Sequence, residues 1–262
     1  MCMFEEEKSK EQIVLERFLS MSVKSADEVF DAFKNINGAK MYGTEPLKRF
    51  LYIPGTRDDK ILLVAHADTV WDKNWQPDLN DLPQTLKYKY GVYSNSNKEA
   101  QCGLGSDDRA GCAILYLLQN SGHSILILDG EEHGQVGANF LKTEYPELYK
   151  EINSHQYALQ FDRMGQYDYK CYNIPVSGKF KRHISFSMGL IDAGKKSKTD
   201  IVTLCKDMCG ANISVGYYNE HTTNEILVYK EWLRTYNKVS KMLSKKQERF
   251  DIQKKDNEEE IM

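Results

Sequence analysis

Histidines and carboxylates recur along this chain just after short apolar runs, and both side chains are ligands for zinc and similar divalent ions. The run 61-ILLVAH-66 closes on His66 and continues into ADTV. Asp107 and Asp108 follow the glycines of 103-GLGSDDRAG-111. The run 124-SILIL-128 passes directly into Asp129, Gly130, Glu131 and Glu132. Carboxylates crowded in this way repel one another and are costly to desolvate. Either something positive sits among them or the segment is an exposed loop. Asp162 ends 157-YALQF-161, and His221 follows 212-NISVGYY-218 in NEHTTNE. Two metal ions sharing a bridging carboxylate need roughly five such ligands and a water.

Each residue alone has an ordinary explanation. A histidine after a strand can be structural. Asp107 and Asp108 can cap the helix that follows them. Glu131 and Glu132 suit the positive end of a helix, and Asp162 can pair with Arg163. None of these accounts explains why the acids recur at strand ends.

The elements that must position these residues are legible in outline. Two helices are expected over 11–36, the first with Ile13, Val14, Phe18 and Leu19 on one face. The second opens on a capping box of Ser25 and Glu28. Strands are expected at 50–53, 61–66, 124–128, 157–161 and 212–218, and helices at 109–119 and 136–143. A long amphipathic helix should start near Glu225, with Ile226, Tyr229, Leu233, Tyr236 and Met242 facing inward. Runs as apolar as SILIL suit strands buried on both faces. The pattern predicts a three-layer α/β/α sandwich with a mixed, mostly parallel central sheet, as one domain over 1–243 with a charged tail over 244–262. Ligands of such folds gather at the carboxyl ends of the strands.

The chain of 262 residues is 41% hydrophobic, enough for a substantial core. Its 35 Lys+Arg against 38 Asp+Glu leave a net charge of −3, with no field to draw nucleic acid or an anionic membrane. No apolar run approaches the roughly 18–20 residues of a membrane span, and MCMFEEEKSK is no signal peptide. Six cysteines without a CxxC pattern fit a reduced, cytoplasmic protein, with Cys205 and Cys209 as buried thiols.

The five segments, in this order, resemble the co-catalytic di-zinc exopeptidases of clan MH. HADTV resembles the clan's first-ligand motif, GSDDRAG its bridging-aspartate motif and DGEEHGQVGA its paired-glutamate motif; FDRMG and NEHT resemble the last two. The resemblance implies a phosphorylase/hydrolase-like zinc peptidase fold. It also implies two divalent ions, zinc in that clan, held by His66, Asp107, Glu132, Asp162 and His221. Asp107 would bridge the ions, with a cis peptide after it. Asp68 would orient the His66 ring, and Glu131 would remain unligated as the general base. His133 would be a loop or pocket residue, and His123, His155 and His183 structural or exposed.

Within the clan, the interval from Asp162 to His221 is too short for an inserted lid of about a hundred residues. The chain therefore resembles the single-domain, aminopeptidase-like branch, acting on short peptides or amino-acid amides. Carboxypeptidases, dipeptidases, N-acyl amino acid amidohydrolases and glutaminyl-cyclase-like acyl transferases share the clan. The basic segment 179–198 (Lys179, Lys181, Arg182, Lys195, Lys196, Lys198) is either a solvated loop or a cationic wall for an acidic group on the substrate.

Overall fold

The computed structural model describes residues 7–194 and 197–253. In chain order the strands are β1 (Lys40–Glu45), β2 (Lys48–Ile53), β3 (Leu62–His66), β4 (Leu86–Lys89), β5 (Val92–Asn95) and β6 (Ser124–Leu128). They continue with β7 (Tyr157–Arg163), β8 (Asp168–Lys170), β9 (Ile191–Asp192), β10 (Cys209–Ser214), β11 (Tyr217–Tyr218) and β12 (Ile226–Val228). The helices are α1 (Lys10–Leu19), α2 (Asp27–Phe33), α3 (Ser106–Leu117) and α4 (Val136–Glu144). After these come α5 (Pro146–Ile152), α6 (Gly178–Met188), α7 (Asp200–Leu204) and α8 (Tyr229–Leu243).

Eight strands form the central sheet in the order β1-β2-β6-β3-β7-β10-β8-β9. The inner four, β6, β3, β7 and β10, run parallel to one another. Every residue of β3 and β6 is buried, as expected where helices cover both faces. Helices α1 and α3 pack together on one face, with α8 beside α3 through a hydrogen bond from Trp232 Nε1 to the Ala110 carbonyl (3.0 Å). Helices α4, α5 and α7 pack against one another on the other. This is the three-layer sandwich with a mostly parallel sheet that the sequence predicts. Among the described residues no helix is long and apolar enough to cross a membrane.

Local differences have identifiable causes. The apolar run 212–218 is not one strand. Gly216 takes a φ of +93° and turns the chain out of the central sheet, so that Tyr217 and Tyr218 pair with β12 instead. The helix expected from Glu225 begins at Tyr229, because 226–228 is strand β12. The buried side of α8 is Trp232, Thr235, Val239, Met242 and Leu243. Strands β4, β5, β11 and β12 form a second sheet in the order β11-β12-β5-β4, for which polar, half-exposed strands gave little apolar signal. The capping box is displaced: Ser25 Oγ accepts from the Asp27 N–H, while Glu28 reaches back to the N–H of Ser22.

Two surface expectations change as well. Residues 244–253, read as the start of a charged tail, pack onto the body. Gln247 is buried and accepts the Tyr157 hydroxyl, Phe250 meets Tyr157 and Phe180 edge to face, and Ile252 bridges to Val176. Residues 254–262 lie outside the described residues. In the basic segment, Lys179, Lys181 and Arg182 belong to helix α6, whose Phe180 packs on Tyr157, the first residue of β7. They therefore stand at the amino end of the strands, opposite to Asp162, and Lys181 pairs with Asp192 at 2.7 Å. The start of α6 thus lies at the end of β7 opposite Asp162. Lys195 and Lys196 lie outside the described residues.

Candidate metal centre

Four parallel strands bring their carboxyl ends to one edge of the sheet, and the connections leaving them carry the polar residues. His66 is the last residue of β3, and Glu131 and Glu132 lie in the turn after β6. Asp162 is near the end of β7, and His221 is in the turn between β11 and β12. Asp107 stands at the opening of α3, and the Asp107–Asp108 peptide is cis.

These side chains meet around Asp107. His66 Nε2 lies 3.2 Å from Asp107 Oδ1 and 3.5 Å from Asp162 Oδ1. On the other side, His221 Nε2 lies 3.3 Å from Asp107 Oδ2 and 2.8 Å from Glu132 Oε1. One carboxylate thus faces two clusters through its two oxygens: His66 with Asp162, and His221 with Glu132. Ligand atoms of His66, Asp107 and Glu132 all fall within 4.8 Å of one another. Imidazole nitrogens and carboxylate oxygens at such spacing fit a divalent cation.

A layer of fixed groups holds these side chains. Asp68 is buried; its two oxygens accept the N–H groups of Glu131 and Glu132, both at 3.1 Å, and Oδ1 lies 3.4 Å from His66 Nδ1. The Asp68 backbone carbonyl accepts from His66 Nδ1 at 3.1 Å, so Asp68 sets the ring through its main chain and the turn carrying both glutamates through its carboxylate. Asp108 does cap α3, accepting the Gly111 N–H at 2.9 Å, and it also accepts the His66 N–H at 3.2 Å. A Cβ at Gly111 would collide with Asp108 and with the Phe161 carbonyl, so the helix approaches β7 this closely only with glycine there. The Arg109 guanidinium donates to the carbonyls of Ala67, Ser22 and Ser25, tying the end of β3 to the loop between α1 and α2.

Other supporting residues escaped the sequence reading. Glu225 is buried and accepts the Gly105 N–H (2.7 Å), the Ser106 hydroxyl (2.6 Å) and the Asp107 N–H (3.0 Å). Asp162 receives Gln160 Nε2 (2.9 Å), the Thr199 hydroxyl (2.7 Å) and the Tyr217 hydroxyl (3.2 Å), while Asn212 clasps its backbone. The usable signal was a polar residue inside an otherwise apolar buried strand, Gln160 in YALQF and Asn212 in NISV. His133 packs against the half-exposed Trp75, ring centroids 4.0 Å apart. His123 and His155 are buried and hydrogen-bonded, and His183 stacks on Phe250. Arg163 pairs with Asp168 rather than with Asp162.

The electrostatics are those of an acid cluster in want of cations. Burial opposes the charged form of His66, yet Asp107, Asp162 and Asp68 push it well above the ordinary histidine value. Hydrogen bonds to Asp107 and Glu132 push His221 up to about 11. Burial, then the Asp107 charge, raises Glu132 to about 7. Burial and the Asp162 charge raise Glu131 well above the carboxylate range. Without metal the histidine protons stand in for positive charge.

No family model matches the chain, and no curated protein matches it. Solved structures do. Aminopeptidase PepT from Bacillus cereus ATCC 10987 superposes with a TM-score of 0.66 at 13% identity, covering 90% of this chain and 99% of that one. A tripeptidase from Staphylococcus aureus subsp. aureus Mu50 gives 0.63 at 12% identity over 89% and 98%. Aminopeptidase APDkam598 from the archaeon Desulfurococcus kamchatkensis gives 0.58 at 12% over 90% and 94%. The chain shares the fold of these peptidases.

Proposed function

We propose that this protein is a divalent-metal-dependent exopeptidase that removes the amino-terminal residue from short peptides. The observation that carries this reading is the division of Asp107 between two ligand clusters. A single-ion site needs no carboxylate placed in this way, whereas a two-ion site needs one between its ions. His66, Asp162 and Asp107 would hold one ion, and His221, Glu132 and Asp107 the other, with zinc suited to the nitrogen and oxygen donors. When bound, such ions activate water near neutral pH and polarise the scissile carbonyl.

The chain's own residues supply the rest. Asp68 fixes the His66 ring through its backbone carbonyl and holds the turn carrying Glu131 and Glu132 through their two backbone N–H groups. Glu131 has no ligand role in this scheme, and its raised pKa suits a group that takes a proton from the attacking water and passes it to the leaving nitrogen. The fold shared with two aminopeptidases and a tripeptidase supports the choice of short peptides cut from the amino end. The test is a peptide library digested by the zinc- or cobalt-loaded protein and read by mass spectrometry. Stepwise loss of amino-terminal residues is expected. Shortening from the carboxyl end, or cleavage only of amino-blocked peptides, would overturn the assignment.

A further inference from the structure

The two carboxylates that flank Asp107 are not presented alike. Glu132 faces His221 Nε2 through Oε1 at 2.8 Å, and among the described residues no hydrogen-bond donor reaches its other oxygen. Asp162 is divided. Its Oδ1 turns to His66 Nε2 (3.5 Å) and receives the Tyr217 hydroxyl (3.2 Å). Its Oδ2 takes the Thr199 hydroxyl at 2.7 Å and Gln160 Nε2 at 2.9 Å, with Asn212 Nδ2 at 3.5 Å.

The donor directions are fixed by the backbone. The Ile201 N–H donates to Gln160 Oε1 at 3.1 Å, so the amide turns its Nε2 end towards Thr199 and Asp162. One Nε2 hydrogen goes to Thr199 Oγ1 (2.8 Å) and the other to Asp162 Oδ2. Thr199 Oγ1 is thus already an acceptor, and its own proton goes to Asp162. An ionised carboxylate oxygen offers about two lone-pair sites, and both on Oδ2 are taken. Thr199 and Gln160 are buried, so a metal drawn to Oδ2 would leave their donors with no water to turn to.

We propose that Thr199, oriented by Gln160, confines Asp162 to holding its ion through Oδ1 alone, whereas Glu132 is free to use both oxygens. Thr199 is a positioning residue, touching Asp162 and not the ion. The inference rests on the two-ion reading above. The ion between His66 and Asp162 then has three protein donors, His66 Nε2, Asp107 Oδ1 and Asp162 Oδ1. One position stays open for water or substrate, the arrangement of catalytic zinc sites. Metal choice follows from the same restriction. Few donors, one of them nitrogen, suit zinc and cobalt. Manganese and magnesium favour six oxygen-rich positions, which a carboxylate using both oxygens would help to fill.

The test reads metals, not turnover. Thr199→Val keeps the shape, removes the hydroxyl and opens one site on Oδ2. Adding Gln160→Met opens the second, and Thr199→Ser keeps the hydroxyl. Cobalt-loaded proteins are compared by visible absorption, which weakens as coordination number rises. Zinc and manganese are compared by competition calorimetry. Thr199→Val should absorb less per cobalt than the wild type. It should also lose at least about tenfold in preference for zinc over manganese, as changes behind a metal ligand commonly do. The double variant should lose more, and Thr199→Ser should match the wild type. Thr199 contacts Asp162 and not Glu132, so the shift belongs to the ion beside His66. A merely structural threonine predicts a lower melting temperature of the metal-free protein, both metals weakened in proportion and an unaltered spectrum. That result, or failure of Thr199→Ser to match the wild type, would overturn the proposal. A shifted spectrum in a protein that cuts no peptide would sink the exopeptidase reading alone. Amino-end cleavage with an unshifted spectrum would sink the role of Thr199 alone.

Discussion

Glu225 and Asp107 are 118 positions apart in the chain, yet the Glu225 carboxylate accepts the Asp107 N–H at 3.0 Å. The same carboxylate takes the Gly105 N–H and the Ser106 hydroxyl, so one buried side chain fixes the turn that presents Asp107. Burial drives Glu225 up to about 7 despite those three donors. The position of Asp107 therefore depends on an acid outside every ligand motif. Glu225→Ala should cost about 2–4 kcal/mol of stability by leaving buried donors unmet. It should also weaken zinc binding by at least about tenfold, as loss of such a supporting residue commonly does. Glu225→Gln, which retains an acceptor, should lose less of both. Denaturant unfolding and zinc titration read the two effects separately, and a Glu225→Ala protein with wild-type zinc affinity would end this account.

The contrast between Glu225 and His66 shows what a sequence discloses. His66 closes an apolar run at a strand end, so its neighbours announce it. Glu225 stands in a polar stretch before a three-residue strand, and only its burial marks it. The four parallel strands were legible because burial on both faces demands continuous apolar residues. The second sheet was not, since its strands are short and half-exposed. The basic segment was illegible for a related reason. Charge density along a chain says nothing of which end of a sheet it reaches, and the contact between Phe180 and Tyr157 places the start of α6 at the end of β7 opposite Asp162.

Metal binding should compete with protons. His66 and His221 are both held well above their ordinary values by Asp107 and its neighbours, His221 at about 11, so at neutral pH the metal-free site carries protons on both rings. Imidazole must shed its proton to ligate, so affinity should rise with pH and zinc uptake should release protons. Calorimetry in buffers of different ionisation heat should show release of about one to two protons at pH 7, and elemental analysis should find about two ions per chain. Uptake of one ion at saturation would favour a single-metal acyl transferase of the same fold.

A second pH effect should come from the opposite end of the sheet. His155 is buried, with Nδ1 donating to the Glu151 carbonyl at 3.2 Å and Nε2 accepting the Ser124 hydroxyl at 2.7 Å. Burial lowers it to about 4 from an unfolded value near 6.5. Between those values the unfolded chain binds more protons than the folded one, so stability falls as pH drops from 6.5 towards 4. The loss should reach up to about 3 kcal/mol. In the metal-free protein, His155→Gln should be less stable at pH 7 but show a flatter decline over that window. An unaltered slope would remove His155 as its source.

The adjacent glutamates offer the sharpest division of roles. Glu132 lies 2.8 Å from His221 Nε2, inside one of the two clusters around Asp107, whereas no such contact is made by Glu131, although Asp68 accepts the backbone N–H groups of both. Glu131→Gln removes a proton acceptor and no proposed ligand. Turnover of short peptides should fall at least about 10²-fold, the lower range for a general base. Zinc content should stay at the wild-type level. Glu132→Gln removes a ligand, so zinc affinity should drop and part of the activity should return at high zinc. Both variants keep the Asp68 hydrogen bonds, which are made by backbone, so neither effect can be assigned to a collapsed turn. Atomic absorption after dialysis, together with initial rates across a zinc series, decides the matter. If zinc restores Glu131→Gln and leaves Glu132→Gln inert, base and ligand are the other way round.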